Sequence, residues 1–129
     1  MRWRYGNVND TFSIDIGTFL SNRSILIAAV TEAIYMVKTV RTDTDANALV
    51  TLTKGSGITL VPAAGSDNDL AVIQFTAADF NSGKLDLNEG VDDEAYFTGF
   101  GIKIVGYSTF LEADLEDDRL FIVSDFIHD

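Results

Sequence analysis

The chain has no cysteine, and its one histidine is His128. The missing cysteine excludes disulfides, thiolate zinc sites and thiol catalysis. A single histidine beside the last residue argues against serine–histidine machinery. Only one proline, Pro62, and no glycine- or serine-rich tract interrupts the 129 residues. We therefore predict a single domain that spans residues 1–129.

Long apolar runs are also missing. The longest run covers residues 25–30, which is six residues. A membrane helix needs about 18 or more, and this run lies too far along the chain for a signal peptide. We expect the protein to be synthesised in the cytoplasm and not to insert into a membrane.

The chain carries a formal charge of −11, and the charge is unevenly distributed. Residues 1–54 hold six basic and five acidic side chains, whereas residues 55–129 hold three basic and fifteen acidic ones. Such an acidic surface repels phosphate backbones, so we expect no nucleic-acid partner. The acidic side chains either form a solvated face or meet a complementary basic partner or divalent ions at a contact.

Apolar residues alternate with polar ones along most of the sequence, which is typical of β-strands. Phe12, Ile14 and Ile16 alternate with Ser13 and Asp15. Two further alternating sets are expected to face the core: Ala71, Ile73 and Phe75; Phe100, Ile102 and Ile104. Short strands separated by glycine, asparagine and aspartate turns predict an antiparallel β-sandwich of about seven to nine strands.

The two chain ends are the candidate interface. Residues 120–127 are apolar on both strand faces, so we expect this strand to be covered on two sides. Residues 1–5 alternate basic and aromatic side chains and form either a candidate interaction arm or a first strand that caps the fold. The predicted interface residues are Arg2, Trp3, Arg4, Tyr5, Phe121, Val123 and Ile127.

One segment resembles the start of a calcium loop. Asp43, Asp45 and Asn47 take its first three oxygen positions, but Ala48 stands where the loop needs glycine and Lys54 where it needs glutamate. We predict a polar turn whose side chains bond their own backbone, and no metal.

No other motif supports catalysis. The acidic runs at 92–94 and 112–118 are typical of solvated turns, and the pairs Gly55/Gly57 and Gly99/Gly101 lack the third glycine of a phosphate loop. We predict no catalytic residue, no cofactor and no small-molecule substrate, and therefore not an enzyme.

Several segments, in order, resemble the N-terminal immunoglobulin-like domain of phage baseplate upper proteins and related phage tail or tail-fibre proteins. They are residues 8–12, 33–38, 42–51, 54–59, 72–79, 96–105 and 120–126. The resemblance implies an immunoglobulin-like β-sandwich and a non-enzymatic structural protein of the virion.

The resemblance further implies a protein of the tail, baseplate or fibre-attachment region, located in the virion. It would contact other virion proteins and form a homo-oligomer. Two alternatives stay open: a head-decoration or head-completion protein, and a carbohydrate-binding module with Trp3, Tyr96 or Tyr107 as its sugar platform.

Overall fold

The computed structural model describes residues 2–4, 10–65, 68–75, 77–79 and 93–123. Within these ranges the strands are β1 (Arg2–Arg4), β2 (Asp10–Asp15), β3 (Val30–Lys38), β4 (Val50–Lys54), β5 (Gly57–Val61), β6 (Leu70–Phe75), β7 (Asp93–Ile104), β8 (Leu111–Ala113) and β9 (Arg119–Val123). Helical structure is limited to α1 (Gly17–Ser21) and the 3₁₀ turns Ile27–Ala29, Asp45–Asn47 and Ala77–Asp79. The prediction of an all-β fold is confirmed.

All the described strands belong to one sheet, in the order β1-β9-β7-β3-β4-β5-β6-β2. The long strand β7 carries two neighbours along one edge, since its first half pairs with β9 and its second half with β8. Two pairs, β1 with β9 and β4 with β5, are parallel. The arrangement differs from the expected pair of antiparallel sheets, because a single mixed sheet curls into half a barrel around the core.

The parallel pair β4–β5 results from the turn at Gly55–Gly57. The Thr53 and Ser56 backbones exchange hydrogen bonds of 3.1 and 2.8 Å, which makes a small loop after which the chain continues forward. Gly55 and Gly57 have φ angles of 86° and 100°, a region that only glycine enters freely. A Cβ on Gly57 would also lie 2.8 Å from the Leu52 side chain. This turn therefore does not reverse the chain, and β5 runs parallel to β4.

Aromatic packing shows how strongly the sheet curls. Four strand spacings, about 19 Å in a flat sheet, separate β2 from β3. Yet the rings of Phe12 on β2 and Tyr35 on β3 lie 5.6 Å apart, edge to face, and Phe12 also meets Phe75 at 5.9 Å. The sheet therefore folds over so that its β2 end faces its middle.

The concave face of this half-barrel holds the core. Five of the six predicted inward residues, Ala71, Ile73, Phe75, Phe100 and Ile102, are buried, and Ile104 is half-buried against them. The remaining buried residues come from the neighbouring strands, α1 and the connections: Ile16, Leu20, Ile25, Val30, Ala33, Tyr35, Val37, Leu49, Val50, Leu52, Ile58, Tyr96 and Leu120. The period-two pattern thus predicted the inner face correctly.

Replacing Phe100 with alanine should lower the free energy of unfolding by about 3–5 kcal/mol, because a large core side chain would leave a cavity. Chemical denaturation measures this change. Thr51→Ala, on an exposed position of β4, serves as the control and should change stability by less than about 0.5 kcal/mol. Equal effects of the two variants would contradict the assignment of Phe100 to the core.

Candidate functional site

Strand β2 ends the sheet, and one of its edges has no strand beside it in the described part of the chain. Ile16 continues the β2–β6 register and donates to the Asp69 carbonyl at 2.9 Å. Because backbone groups alternate in direction along an antiparallel strand, Ile14 and Phe12 also bond towards β6. The N–H and C=O groups of Thr11, Ser13 and Asp15 therefore point to the free edge.

This free edge is long and regular. β2 has six residues that pair with β6 without a bulge, and it contains no lysine or proline. The other sheet end, β1, is only three residues long, and so is β8. Proteins usually protect edge strands by making them short or bulged, or with charged residues, especially lysine, and proline. β2 therefore stands out as the edge best suited to accept another strand.

An open cleft of about 790 Å³ lies beside this edge. Phe12 and Ile14 of β2 form one wall, and the segment 113–119 that links β8 to β9 forms the other. Leu115 from that segment and Phe19 from α1 add apolar surface. All four of these apolar side chains are only half-buried. The cleft is the gap that a complete barrel would close with one more strand.

Tyr35 and Thr98 lie at the bottom of the cleft. Tyr35 is 2% exposed, and burial raises the pKa of its hydroxyl far above the usual value, while a hydrogen bond with the Thr98 side chain opposes that rise. The phenol is therefore neutral at any physiological pH. It supplies a polar but uncharged group at the bottom of an apolar cleft.

The rim of the cleft carries more acidic than basic side chains. Asp114, Glu116 and Asp117 lie on one wall and Asp15 on the other, against two arginines. Arg23 stacks on the Phe19 ring at 4.2 Å and donates to the Phe19 carbonyl at 3.2 Å. The second arginine, Arg119, lies over the Phe97 ring at 5.4 Å. Because four carboxylates face these two arginines, the side chains of the rim carry a net negative charge.

A local network fixes the end of β2 at the cleft. The Asp15 carboxylate accepts hydrogen bonds from the Asn68 amide at 2.9 Å and from the Gly17 N–H at 3.0 Å. These two bonds hold the pKa of Asp15 below its ordinary value, and the Asn68 bond has the larger effect. Gly17 permits this contact, because a Cβ there would lie 3.0 Å from the Asn68 side chain.

Asn68→Ala should raise the pKa of Asp15 towards its ordinary value of 3.8, because the bond that favours the carboxylate is lost. Since the folded-state pKa is lowered, the contact stabilises the protein above that ordinary value and loses its effect as the pH falls further. A carboxyl NMR titration of Asp15 measures the shift. Asn22→Ala, at another exposed position in the cleft, should leave the pKa of Asp15 unchanged.

The structure places the predicted interface residues at the opposite end of the sheet. Arg2, Trp3 and Arg4 form β1 and pair in parallel with β9, where their register partners are Phe121, Ile122 and Val123. The two candidate segments are thus brought together, side by side in the sheet. Tyr5 and Ile127 lie outside the described residues. A role of these residues in an interface stays a prediction.

The predicted polar turn is present at residues 43–47. One oxygen of Asp43 accepts from the Thr44 N–H at 2.8 Å and from the Asn47 amide at 3.0 Å. The Lys38 ammonium binds the Asp43 carbonyl and the Asp45 carboxylate, both at 2.8 Å. Local bonds and a lysine cation therefore occupy the oxygens that a calcium loop would direct at its ion.

We expect the melting temperature to be the same in chelator and in millimolar calcium, because these bonds do not require a metal. Thermal unfolding followed by circular dichroism is the measurement. A specific site would raise the melting temperature with calcium concentration, since a ligand that binds only the folded state stabilises it. A rise of many degrees would therefore contradict the assignment. Asp43→Ala should lower stability equally in both buffers.

In the acidic run 112–118, Glu112, Asp114, Glu116 and Asp117 are exposed, as predicted. Asp118 is half-buried and pairs with Arg41, and the side chains of residues 92–94 lie outside what the structure describes. In the described ranges, no three histidine, cysteine or acidic side chains are grouped so that they could hold a metal ion. Of the candidate sugar platforms, Tyr96 is 4% exposed and is part of the core. It cannot stack on a sugar, because its ring faces the concave interior.

A second cavity, of about 360 Å³, lies on the convex face. Gly99 and Gly101 line it, and a Cβ on Gly99 would meet nothing within 4 Å. On Gly101 a Cβ would lie 3.1 Å from that of Phe110, so this glycine lets Phe110 pack closely. At its rim the Lys38 ammonium forms a salt bridge of 2.8 Å with the Asp45 carboxylate, and Arg41 forms another with Asp118.

Comparison of the chain with protein-family models, curated proteins and solved structures finds no match in any of the three. The resemblance to phage tail proteins therefore stays a prediction. In the part of the chain that the structure describes, no helix has the length and apolar character needed to cross a membrane.

Sequence reasoning missed the β2 edge and its cleft. The strand itself was predicted from Phe12 and Ile14, but its place at the end of the sheet depends on the strand order. The signal that could have indicated an edge is the sequence of β2, which begins and ends with aspartate and has small hydroxyl residues at Thr11 and Ser13. Charged and small polar residues are common on edges.

Proposed function

We propose that the protein is a structural component of a phage or prophage virion, in the tail, baseplate or fibre-attachment region, and acts through protein–protein contacts. Two independent arguments support this. The ordered segments described above resemble phage tail proteins, and in the described part of the chain a long strand edge lies open beside an apolar cleft. Its partners are other virion proteins, together with copies of itself.

The observation that carries the proposal is the unprotected edge of β2. In the part of the chain that the structure describes, no strand pairs with its outward N–H and C=O groups, and a second chain can bond to them by pairing along the strand. The half-buried Phe12 and Ile14 beside it have apolar surface still to bury, which is favourable by about 25 cal/mol per Å². An assembly subunit uses such a surface, whereas a monomer would protect it.

The carbohydrate-binding alternative has less support. Binding a sugar in this way needs exposed aromatic rings, and Tyr96 cannot serve because it is buried. Tyr107 is 46% exposed, and the Trp3 side chain lies outside the part of the chain that the structure describes. A head-decoration protein would use the same kind of edge as a tail protein.

Ser13→Pro should reduce incorporation into particles by about tenfold or more, because proline removes the outward N–H of β2. The hydrogen bonds to β6 stay intact, because the backbone N–H of Ser13 points away from β6. Proline is tolerated where the N–H of an edge strand faces solvent. Incorporation is measured as the amount of tagged protein that co-sediments with phage particles when the gene is expressed with its genomic neighbours.

Ser13→Val is the matched control, because it keeps the N–H and should incorporate normally. Both variants should keep the melting temperature of the parent protein within a few degrees. Equal incorporation of the two variants would contradict a contact through this edge. If the parent protein itself stays out of the particles, the virion assignment is wrong.

A further inference from the structure

We infer that the cleft beside β2 receives an extended, basic strand from a different protein chain, which pairs with β2 and fills the open side of the half-barrel. The inference rests on the proposed function, because it names the partner of that contact surface. Three features of the cleft carry it: the directions of the backbone groups on β2, the apolar walls and the charge of the rim.

The backbone of β2 selects an extended partner. Thr11, Ser13 and Asp15 direct their N–H and C=O groups outward at every second residue, a spacing of about 6.8 Å. Only another strand presents donors and acceptors at this repeat along its length. A helix or a globular surface would leave most of these groups without a bond.

The walls of the cleft select the pattern of the partner. On one side of the added strand, side chains would point into the cleft between Phe12 and Leu115, above the neutral Tyr35. These positions favour apolar residues because they would cover half-buried apolar surface. The alternate positions would face outward, so the partner should alternate apolar and polar residues.

The rim selects a basic partner. Asp114 and Glu116 border the cleft opposite Asp15, and the chain as a whole carries a charge of −11. Lysine or arginine at the outer positions of the added strand would lie near these carboxylates. Complementary charge of this kind speeds association and discriminates between partners.

The same charges disfavour a second copy of this chain. If two β2 strands paired through their outward groups about Ser13, each Thr11 would lie opposite an Asp15 of the other copy, so the strand pair itself would contain no opposed like charges. The two chains would however each bring a net charge of −11, and like net charge opposes association. The occupant is therefore a different, basic chain.

The test uses the purified full chain and two fluorescent ten-residue peptides. One peptide alternates lysine with valine, and the other alternates glutamate with valine. Fluorescence anisotropy should show that the lysine peptide binds at least about tenfold more tightly, with affinity that falls as salt rises. Ser13→Pro should weaken binding of the lysine peptide at least about tenfold, and Ser13→Val should not.

A second readout identifies the bonds themselves. In hydrogen-exchange NMR the bound lysine peptide should protect the amides of Thr11, Ser13 and Asp15, and leave the amides of β4, an interior strand, unchanged. A salt-sensitive peptide attached only through its charge would not protect alternate amides of one strand. This pattern therefore separates strand addition from simple electrostatic attraction.

Each contrary outcome overturns a defined part of the inference. Equal affinity for the two peptides rejects the basic partner, and binding that Ser13→Pro leaves unchanged rejects strand addition. Binding of neither peptide rejects both. A dimer in solution that Ser13→Pro converts to monomer shows that a second copy is the occupant. If the peptide results hold while the protein stays out of virions, the inference stands and only the proposed function fails.

Discussion

The packing of Phe12 against Tyr35 and Phe75 is the contact on which the rest of the structure depends. It joins the end of the sheet to its middle, with ring separations of 5.6 and 5.9 Å. Edge-to-face aromatic pairs add about 0.5–1.5 kcal/mol beyond the area they bury. Because these rings lie inside the curl, one sheet encloses a core that a sandwich would need two sheets to form.

The same curl explains why the candidate site lies where it does. The curl of the sheet brings β2 near the segment 113–119 without pairing the two, and the gap between them is the cleft. The gap is apolar inside, because its walls continue the core, and acidic outside, because the linking segment carries solvated carboxylates. The outward backbone groups of β2, the apolar walls of the cleft and its acidic rim thus all result from the incomplete closure of the half-barrel.

Alternation of apolar and polar residues was enough to predict the strands and the inner face, since each strand shows its pattern independently of its neighbours. Buried Ala71, Ile73 and Phe75 are an example. Strand order could not be predicted in this way. The turn at Gly55–Gly57 has a composition that suits a hairpin, yet its two positive φ angles send the chain forward. The candidate site depends on that order, so neither β2 as an edge nor the cleft was visible in the sequence.

The pairing of β1 with β9 has a consequence for how the chain reaches its folded state. Arg2 and Phe121 are register partners, although about 120 residues of chain lie between them. Closing so long a loop is entropically unfavourable, and contacts of such sequence separation form slowly. During synthesis, β1 must wait for β9 to leave the ribosome, so this pair is among the last to form. The β2 edge, complete once β6 has been made, is available to a partner before the sheet is finished.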